Sequence, residues 1–370
     1  ARAVSSSAGA VEAVSQRLNN FLARQRAEAK ELGDEAAMII DAAADALTGG
    51  KRLRGRFLIA GWRAVHEARS RAGEPPAAVI GAAAALEIFH AAALVHDDVI
   101  DNSDTRRGRP SAHRALESRH RASNWRGDAA AFGRSGAILL GDLLVAWSDD
   151  LFEESLAEMG PGQDAAAATA REEYARMRRE VTVGQFLDIA EESAFRVAPD
   201  EEHAERALRV ASFKSARYSI QQPLVIGAAL AGGSEAQRAA LAAFGHPLGM
   251  AFQLRDDVLG VFGDSAETGK PAGDDLREGK RTVLVAYARE GIGVSARQIV
   301  DELIGDPGLD DDQIASLQRT IVDSGALRRV ETLIEEYSQE AGRALSGADL
   351  GHAAVNDLRE LARAATVRVA

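Results

Sequence analysis

The 370-residue chain contains no cysteine. Disulfides, thiolate metal sites and cysteine nucleophiles are therefore excluded together, and a reducing cytoplasm is compatible with the composition. Aromatic residues are scarce at 5% while alanine is abundant, which favours helices packed closely through small side chains. Positive charge is in deficit, with 44 Lys and Arg against 56 Asp and Glu. The resulting net charge of −12 argues against a general nucleic-acid binder, whose affinity comes from clustered basic residues. An anionic ligand must then be met by local basic groups. No stretch reads securely as a membrane span. Residues 77–95 are long enough, but they carry Glu87 and His90 and run straight into three aspartates, so a buried core helix is expected. The N-terminus lacks the apolar region of a secretory signal, and a clipped start fits it.

Helical periodicity fills most of the chain. Residues 10–46 read as amphipathic helix, with Val11, Val14, Leu18, Phe21 and Leu22 at helical spacing. Thr48-Gly49-Gly50 is a helix stop, and Gly73-Glu74-Pro75-Pro76 is a second break. Residues 111–134 are rich in Arg, Ala, His and Ser with little apolar periodicity, and are expected to be a long mobile loop. Further helices are expected over roughly 135–155, 164–192, 200–231, 234–262, 281–290, 295–305, 311–323, 325–345 and 350–368. There is no β alternation and no internal repeat. The fold class is all-α, a single helical-bundle domain over 1–370 with a central cavity, in which 10–47 forms an N-terminal helix region.

Chemistry concentrates in Leu86–Pro110, LEIFHAAALVHDDVIDNSDTRRGRP. On a helix, Asp97 and Asp101 share a face, with Asp98 beside them. Three carboxylates that close repel unless a cation sits among them. An all-oxygen set that leaves positions open suits Mg²⁺, which keeps waters and shares them with substrate phosphates. Arg106 and Arg107 follow, and guanidinium groups grip phosphate oxygens bidentately. A lone acidic cluster is weak, since solvated helix ends often carry one, and His96-Asp97 equally fits a His-Asp metal-dependent phosphohydrolase. A second cluster, QLRDDVLGVFGD at 253–264, followed by TGKPAGDDLREGKRT at 268–282, raises the odds of a diphosphate site.

The chain resembles the trans-polyprenyl (isoprenyl) diphosphate synthase family along nearly its whole length. The resemblance is carried by GGKRLRG at 49–55, FHAAALVHDDVIDNSDTRRG at 89–108, GQFLD at 184–188, KSARY at 214–218 and the long segment 253–280. It implies head-to-tail condensation of isopentenyl diphosphate onto an allylic diphosphate. By the resemblance, Asp97, Asp101 and Asp256 would ligate three Mg²⁺, with Asp98 and Asp257 supporting them and Asp274 contacting a metal-bound water. Arg106, Lys214 and Lys270 would clamp the allylic diphosphate, with Lys280 a lesser member. Lys51, Arg54, His90 and Arg107 would hold isopentenyl diphosphate without metal. Gln185, Gln253, Ser215 and the Lys214 carbonyl would lie near the developing allylic cation. A homodimer is implied as well. Three departures stand out: Gly260 in place of the last acid of the second motif, Gly55 where a proline is usual, and Ser215 for the common threonine.

Phe89, Ala93 and Asp97 are spaced by four and stack along one helix face. In the family, the residues four and five before the first aspartate floor the product tunnel when bulky. Here they are Ala93 and Ala92, too small to stop a C15 chain, and Phe89 is the first large group, one turn deeper. A turn of ~5.4 Å is about the reach of one isoprene unit, which favours geranylgeranyl diphosphate (C20). If Phe89 is plain core, longer chains of C25 or more form. A class I terpene cyclase is the nearest rival enzyme, although it would lack the Lys51, Arg54 and His90 set. A non-catalytic partner subunit would bind Mg²⁺ and diphosphate without turnover.

Overall fold

The structure is a computed structural model that describes residues 2–69, 73–263 and 272–366. It is all-α, as expected. Contacts gather the chain, expected to be one domain, into two compact units, 1–62 with 73–167 and 63–72 with 168–370.

The first unit begins with α1 (Arg2–Ala29) and α2 (Asp34–Leu47). The single helix expected over 10–46 is broken between them at Gly33, whose φ of 93° an L side chain rarely adopts. Helix α3 (Leu53–Arg69) starts in this unit, and α4 (Ala77–Ile100) is its centre. Four successive alanines, Ala82 to Ala85, are fully buried on α4, where their small side chains admit close helix packing. The partner is α6 (Ala129–Ala157), whose Ser148 hydroxyl donates to the Ala85 carbonyl at 2.6 Å.

Between α4 and α6 lies a tight antiparallel hairpin, β1 (Thr105–Arg106) with β2 (Arg109–Pro110), and then α5 (Ala112–Ala122). The segment 111–134, expected to be a loop, is therefore mostly ordered helix. His113, Leu116, Glu117 and His120 supply the buried stripe of α5 at helical spacing, although only Leu116 is apolar. Glu117 is paired with Arg114 at 2.9 Å and Arg121 at 2.5 Å, which explains how a carboxylate lies on that face. Asp128 caps α6 by accepting from the Ala130 and Ala131 amides.

The second unit holds α7 (Asp164–Ala194, from Ala168 onward), α8 (His203–Val210) and a π-helical segment, Ala211–Gln221. Then come α9 (Gln222–Leu230) and α10 (Glu235–Phe262), the latter opened by a Ser234–Gln237 capping box. A short α11 (Asp274–Glu278) precedes α12 (Val283–Glu290), α13 (Val294–Leu303), α14 (Asp311–Asp323), α15 (Ala326–Ala344) and α16 (His352–Thr366). Helix α10 packs on the π-helical segment and on α15, and Leu254, Val258 and Val261 join a core with Leu276, Leu284, Leu317 and Val330. The helical segment expected over 200–231 is thus four consecutive pieces, a 3-10 turn at Asp200–Glu202 followed by α8, the π-helical segment and α9.

Among the described residues, α4 and α6 are long and apolar enough to cross a membrane. The apolar window of α4 is 78% buried in the protein, as expected of a core helix, whereas that of α6 is 28% buried.

Candidate active site

In the first unit, basic groups gather around His90. Gly49 and Gly50 turn the chain in left-handed conformations after α2, delivering Lys51, Arg52 and Arg54 to the start of α3. The Arg107 guanidinium lies against Gly50, 3.1 Å from where a Cβ would stand, so a side chain at 50 would displace it. Arg54 is buried. Burial, then Arg54, Arg107, Arg106 and Arg52, hold the His90 imidazole well below its ordinary value. Burial, then Arg52, Arg106 and Arg54, likewise depress Arg107, with Glu87 opposing. Arg54, His90 and Arg107, singled out from the sequence, are therefore brought together. Lys51 is exposed on the same turn. Arg52 and Glu87 were not anticipated: Arg52 donates to the Leu47 carbonyl at 2.7 Å, and Glu87 accepts from the Gly55 amide at 2.9 Å. Gly55, the departure from proline, thus supplies an amide donor that proline lacks. A cluster of cations around a neutral imidazole is a receptor for an anion.

The first acidic cluster lies at the C-terminal end of α4. Asp98 is buried and accepts from Arg106 Nε at 2.9 Å and Nη2 at 2.5 Å, while Asp97 Oδ2 is 3.6 Å from the same Nη2. Burial pushes the Asp98 carboxyl up, and Arg106 opposes that rise. Asp98 thus anchors Arg106, whose guanidinium is turned toward it. Asp101 caps α4, its amide donating to the Asp97 carbonyl at 2.8 Å. His96 does not join Asp97. Its ring covers Gly141, with Nε2 3.1 Å from the Ile138 carbonyl oxygen and 3.5 Å from Asp142, which separates the His-Asp pair of the phosphohydrolase reading. Ala92 is fully buried, Phe89 is 6% exposed and Ala93 is half-buried.

In the second unit, α10 carries Gln253, Asp256 and Asp257. The Gln253 amide donates to Asp257 Oδ1 at 2.7 Å, so this glutamine is committed to a carboxylate. Burial, Asp275 and Asp256 push the Asp257 carboxyl up to about 8, against the help of Gln253 and Lys280. Asp275 was missed by the sequence reading, which chose its neighbour Asp274. Its carboxylate occupies the place a Cβ on Gly260 would take, at the position of the absent third acid. Asp274 opens α11 and is half-buried. Lys280 Nζ is 3.2 Å from Asp275 and 2.7 Å from Glu278, so it holds acids and not open space. Lys214 forms an ion pair with Asp188 of α7. Ser215 lies beside it on the π-helical segment, and Gln185 is half-buried on α7. Lys270 and Asp264 lie outside the described residues.

Among the described residues, no three acidic or histidine side chains converge closely enough to hold a metal ion by themselves. The donor set nevertheless fits a hard divalent cation. Asp257 is buried against two other carboxylates with insufficient countercharge, and all the donors are oxygens. Mg²⁺ needs only one or two protein carboxylates when phosphate and water supply the rest.

The family model described as polyprenyl synthetase matches residues 37–321. A geranylfarnesyl diphosphate synthase of Aeropyrum pernix is 35% identical over 80% of this chain and 83% of its own length. A geranylgeranyl diphosphate synthase of Sulfolobus acidocaldarius is 30% identical over 80% of this chain and 79% of its own. A Corynebacterium glutamicum geranylgeranyl pyrophosphate synthase, solved with isoprenyl diphosphate and magnesium, is similar at a TM-score of 0.89 and 40% identity, covering 97% of this chain and 98% of that one.

Proposed function

Because the chain belongs to the polyprenyl synthetase family, and so is a prenyltransferase that makes prenyl diphosphates, we propose that it condenses isopentenyl diphosphate with an allylic diphosphate to yield geranylgeranyl diphosphate. The observation that carries this reading is the cationic cluster about His90. Desolvation and four arginines hold the half-buried imidazole in its neutral form, an arrangement of positive charge that an incoming diphosphate would relieve. Arg54, Arg107, His90 and Lys51 are assigned to the isopentenyl diphosphate. Arg107 is already seated on Gly50, so little ordering is left for binding.

Asp97, Asp101 and Asp256 are assigned to three Mg²⁺ on the allylic diphosphate, with Asp98, Asp257 and Asp274 supporting them. Bound Mg²⁺ neutralises the diphosphate and stabilises it as a leaving group. Lys214 adds a further cation from the π-helical segment, and Lys280 keeps Asp275 in place. Breaking the allylic C–O bond leaves a cation that an apolar, water-poor surround protects from quenching. Ser215, Gln185 and Gln253 are assigned to that cation's surround, Gln253 acting through Asp257. Orienting the second substrate's double bond against the cation makes the step effectively unimolecular. The departing diphosphate takes the proton.

The C20 assignment rests on Phe89, buried one turn below the half-buried Ala93 on α4. A C25 product is the second reading, favoured by the name of the Aeropyrum pernix relative. We also assign a homodimer in the cytoplasm. Ile138 and Leu139 of α6 are 47% and 61% exposed, an apolar surface that a second copy would cover. The reading is tested by incubating the protein with isopentenyl and farnesyl diphosphates, with and without Mg²⁺. A longer diphosphate supports it; a hydrocarbon supports a cyclase, and released phosphate without C–C bond formation supports a hydrolase.

A further inference from the structure

The π-helical segment Ala211–Gln221, which carries Lys214, is closed in by glycines from two helices. A Cβ on Gly184 of α7 would stand 2.5 Å from the Lys214 amide nitrogen and 2.5 Å from the Phe213 carbonyl carbon. On α10, a Cβ on Gly249 would stand 2.6 Å from Ala216 Cα, and one on Gly245 would stand 2.7 Å from Gln221 Cα. In each case the obstacle includes main chain, which cannot swing aside as a side-chain tip does. Gly342 of α15, by contrast, has nothing within 4 Å of its Cβ position.

A π turn closes its hydrogen bonds at i→i+5, spreads more residues over each turn than an α turn, and is frequent at functional sites. Its wider backbone needs neighbours that yield space, and glycines at the two flanking helices yield it. Asp188 follows Gly184 by one turn of α7 and receives the Lys214 ammonium. One helix therefore sets both the backbone and the side chain of Lys214.

We propose that Gly184, supported by Gly245 and Gly249, is a positioning residue that fixes the depth of the π-helical segment and so aims Lys214 for the allylic diphosphate. The inference rests on the role given to Lys214 above. It predicts that bulk at 184 damages use of the allylic substrate while the fold persists.

The test is steady-state kinetics on the full-length enzyme with Gly184→Ala, Asp188→Asn, the double variant and Gly342→Ala. Gly184→Ala is expected to raise the KM for the allylic diphosphate and lower kcat together, by about 10- to 100-fold in kcat/KM, leaving the KM for isopentenyl diphosphate within ~2-fold. If Gly184 acts through the Asp188–Lys214 pair, the double variant is no worse than the poorer single variant. Gly342→Ala is expected to match wild type. Wild-type kinetics in folded Gly184→Ala, equal damage to both KM values, or additive losses in the double variant would each overturn the proposal. Inactive wild type would instead sink the reading of the reaction. Amide exchange on the wild type decides the matter if Gly184→Ala does not fold. Protection over 211–221 equal to that of α10 upholds the clamp, and exchange as fast as an open loop removes it.

Discussion

The Asp275 carboxylate stands where a side chain on residue 260 would begin, so Gly260 and Asp275 share one position beside Asp257. The second aspartate motif lacks its last acid in sequence but regains a carboxylate in space, from α11 and steadied by Lys280. Asp275→Asn is expected to lower the apparent Mg²⁺ affinity by about 10- to 100-fold, the usual cost of losing a group that supports metal ligands. Gly260→Asp alone crowds Asp275 and lowers activity as well, whereas Gly260→Asp with Asp275→Gly recovers part of it. An Mg²⁺ titration of turnover reads all three. Unchanged Mg²⁺ dependence in Asp275→Asn would remove Asp275 from the site.

Asp98 anchors Arg106 through two hydrogen bonds from a buried position. Asp98→Asn leaves the guanidinium short of its charged partner. The expected loss is about 1–3 kcal/mol of stability, the cost of stranding a hydrogen-bonding group. Thermal unfolding reports it, and a melting temperature equal to wild type would contradict the anchoring role.

Much of this was legible in the sequence, and the failures have physical causes. The periodic apolar runs located α14 and α15 closely, because each buries one stripe, and α10 was bounded by its Ser234 cap and by Gly263. Helix α5 was not legible, since its buried face is built from His113, Glu117 and His120, polar residues made tolerable by Arg114 and Arg121. The division at Gly33 was hidden because apolar spacing continues on both sides of it. Asp274 and Asp275 are adjacent and identical, so sequence could not choose between them; the short helix from Gly273 to Gly279 turns Asp275 toward Gly260. The clustering of Arg54, His90 and Arg107 was legible because Arg54 lay in one motif and His90 and Arg107 in another. Arg52 and Glu87 were overlooked because their partners, the Leu47 carbonyl and the Gly55 amide, are main chain.

His90 gives the unliganded enzyme a pH signature. Burial and four arginines lower its folded pKa, while in the unfolded chain it titrates near ~6.5. Below that value the unfolded state takes up a proton that the folded state refuses. Stability therefore falls as pH drops from about 6.5 toward the folded value and is restored above it. Denaturant unfolding across this window is expected to show a shallower slope for His90→Gln than for wild type. Equal slopes would show that His90 is not held neutral.

Phe89 is the first large side chain below Asp97 on its face of α4. Phe89→Ala opens one more helical turn, ~5.4 Å, about one isoprene unit of depth. The expected product is longer by one or more C5 units, with thermal stability lowered by about 3–5 kcal/mol if the cavity stays unfilled. An unchanged product length would return Phe89 to the plain core.

The most direct measurement is chromatographic product analysis after Mg²⁺-dependent turnover of isopentenyl diphosphate with each allylic primer from C5 to C15. The account predicts that every accepted primer is extended to the C20 diphosphate, and that chelating Mg²⁺ stops product formation. Products that stop at C15, a hydrocarbon, or turnover indifferent to chelation would contradict it.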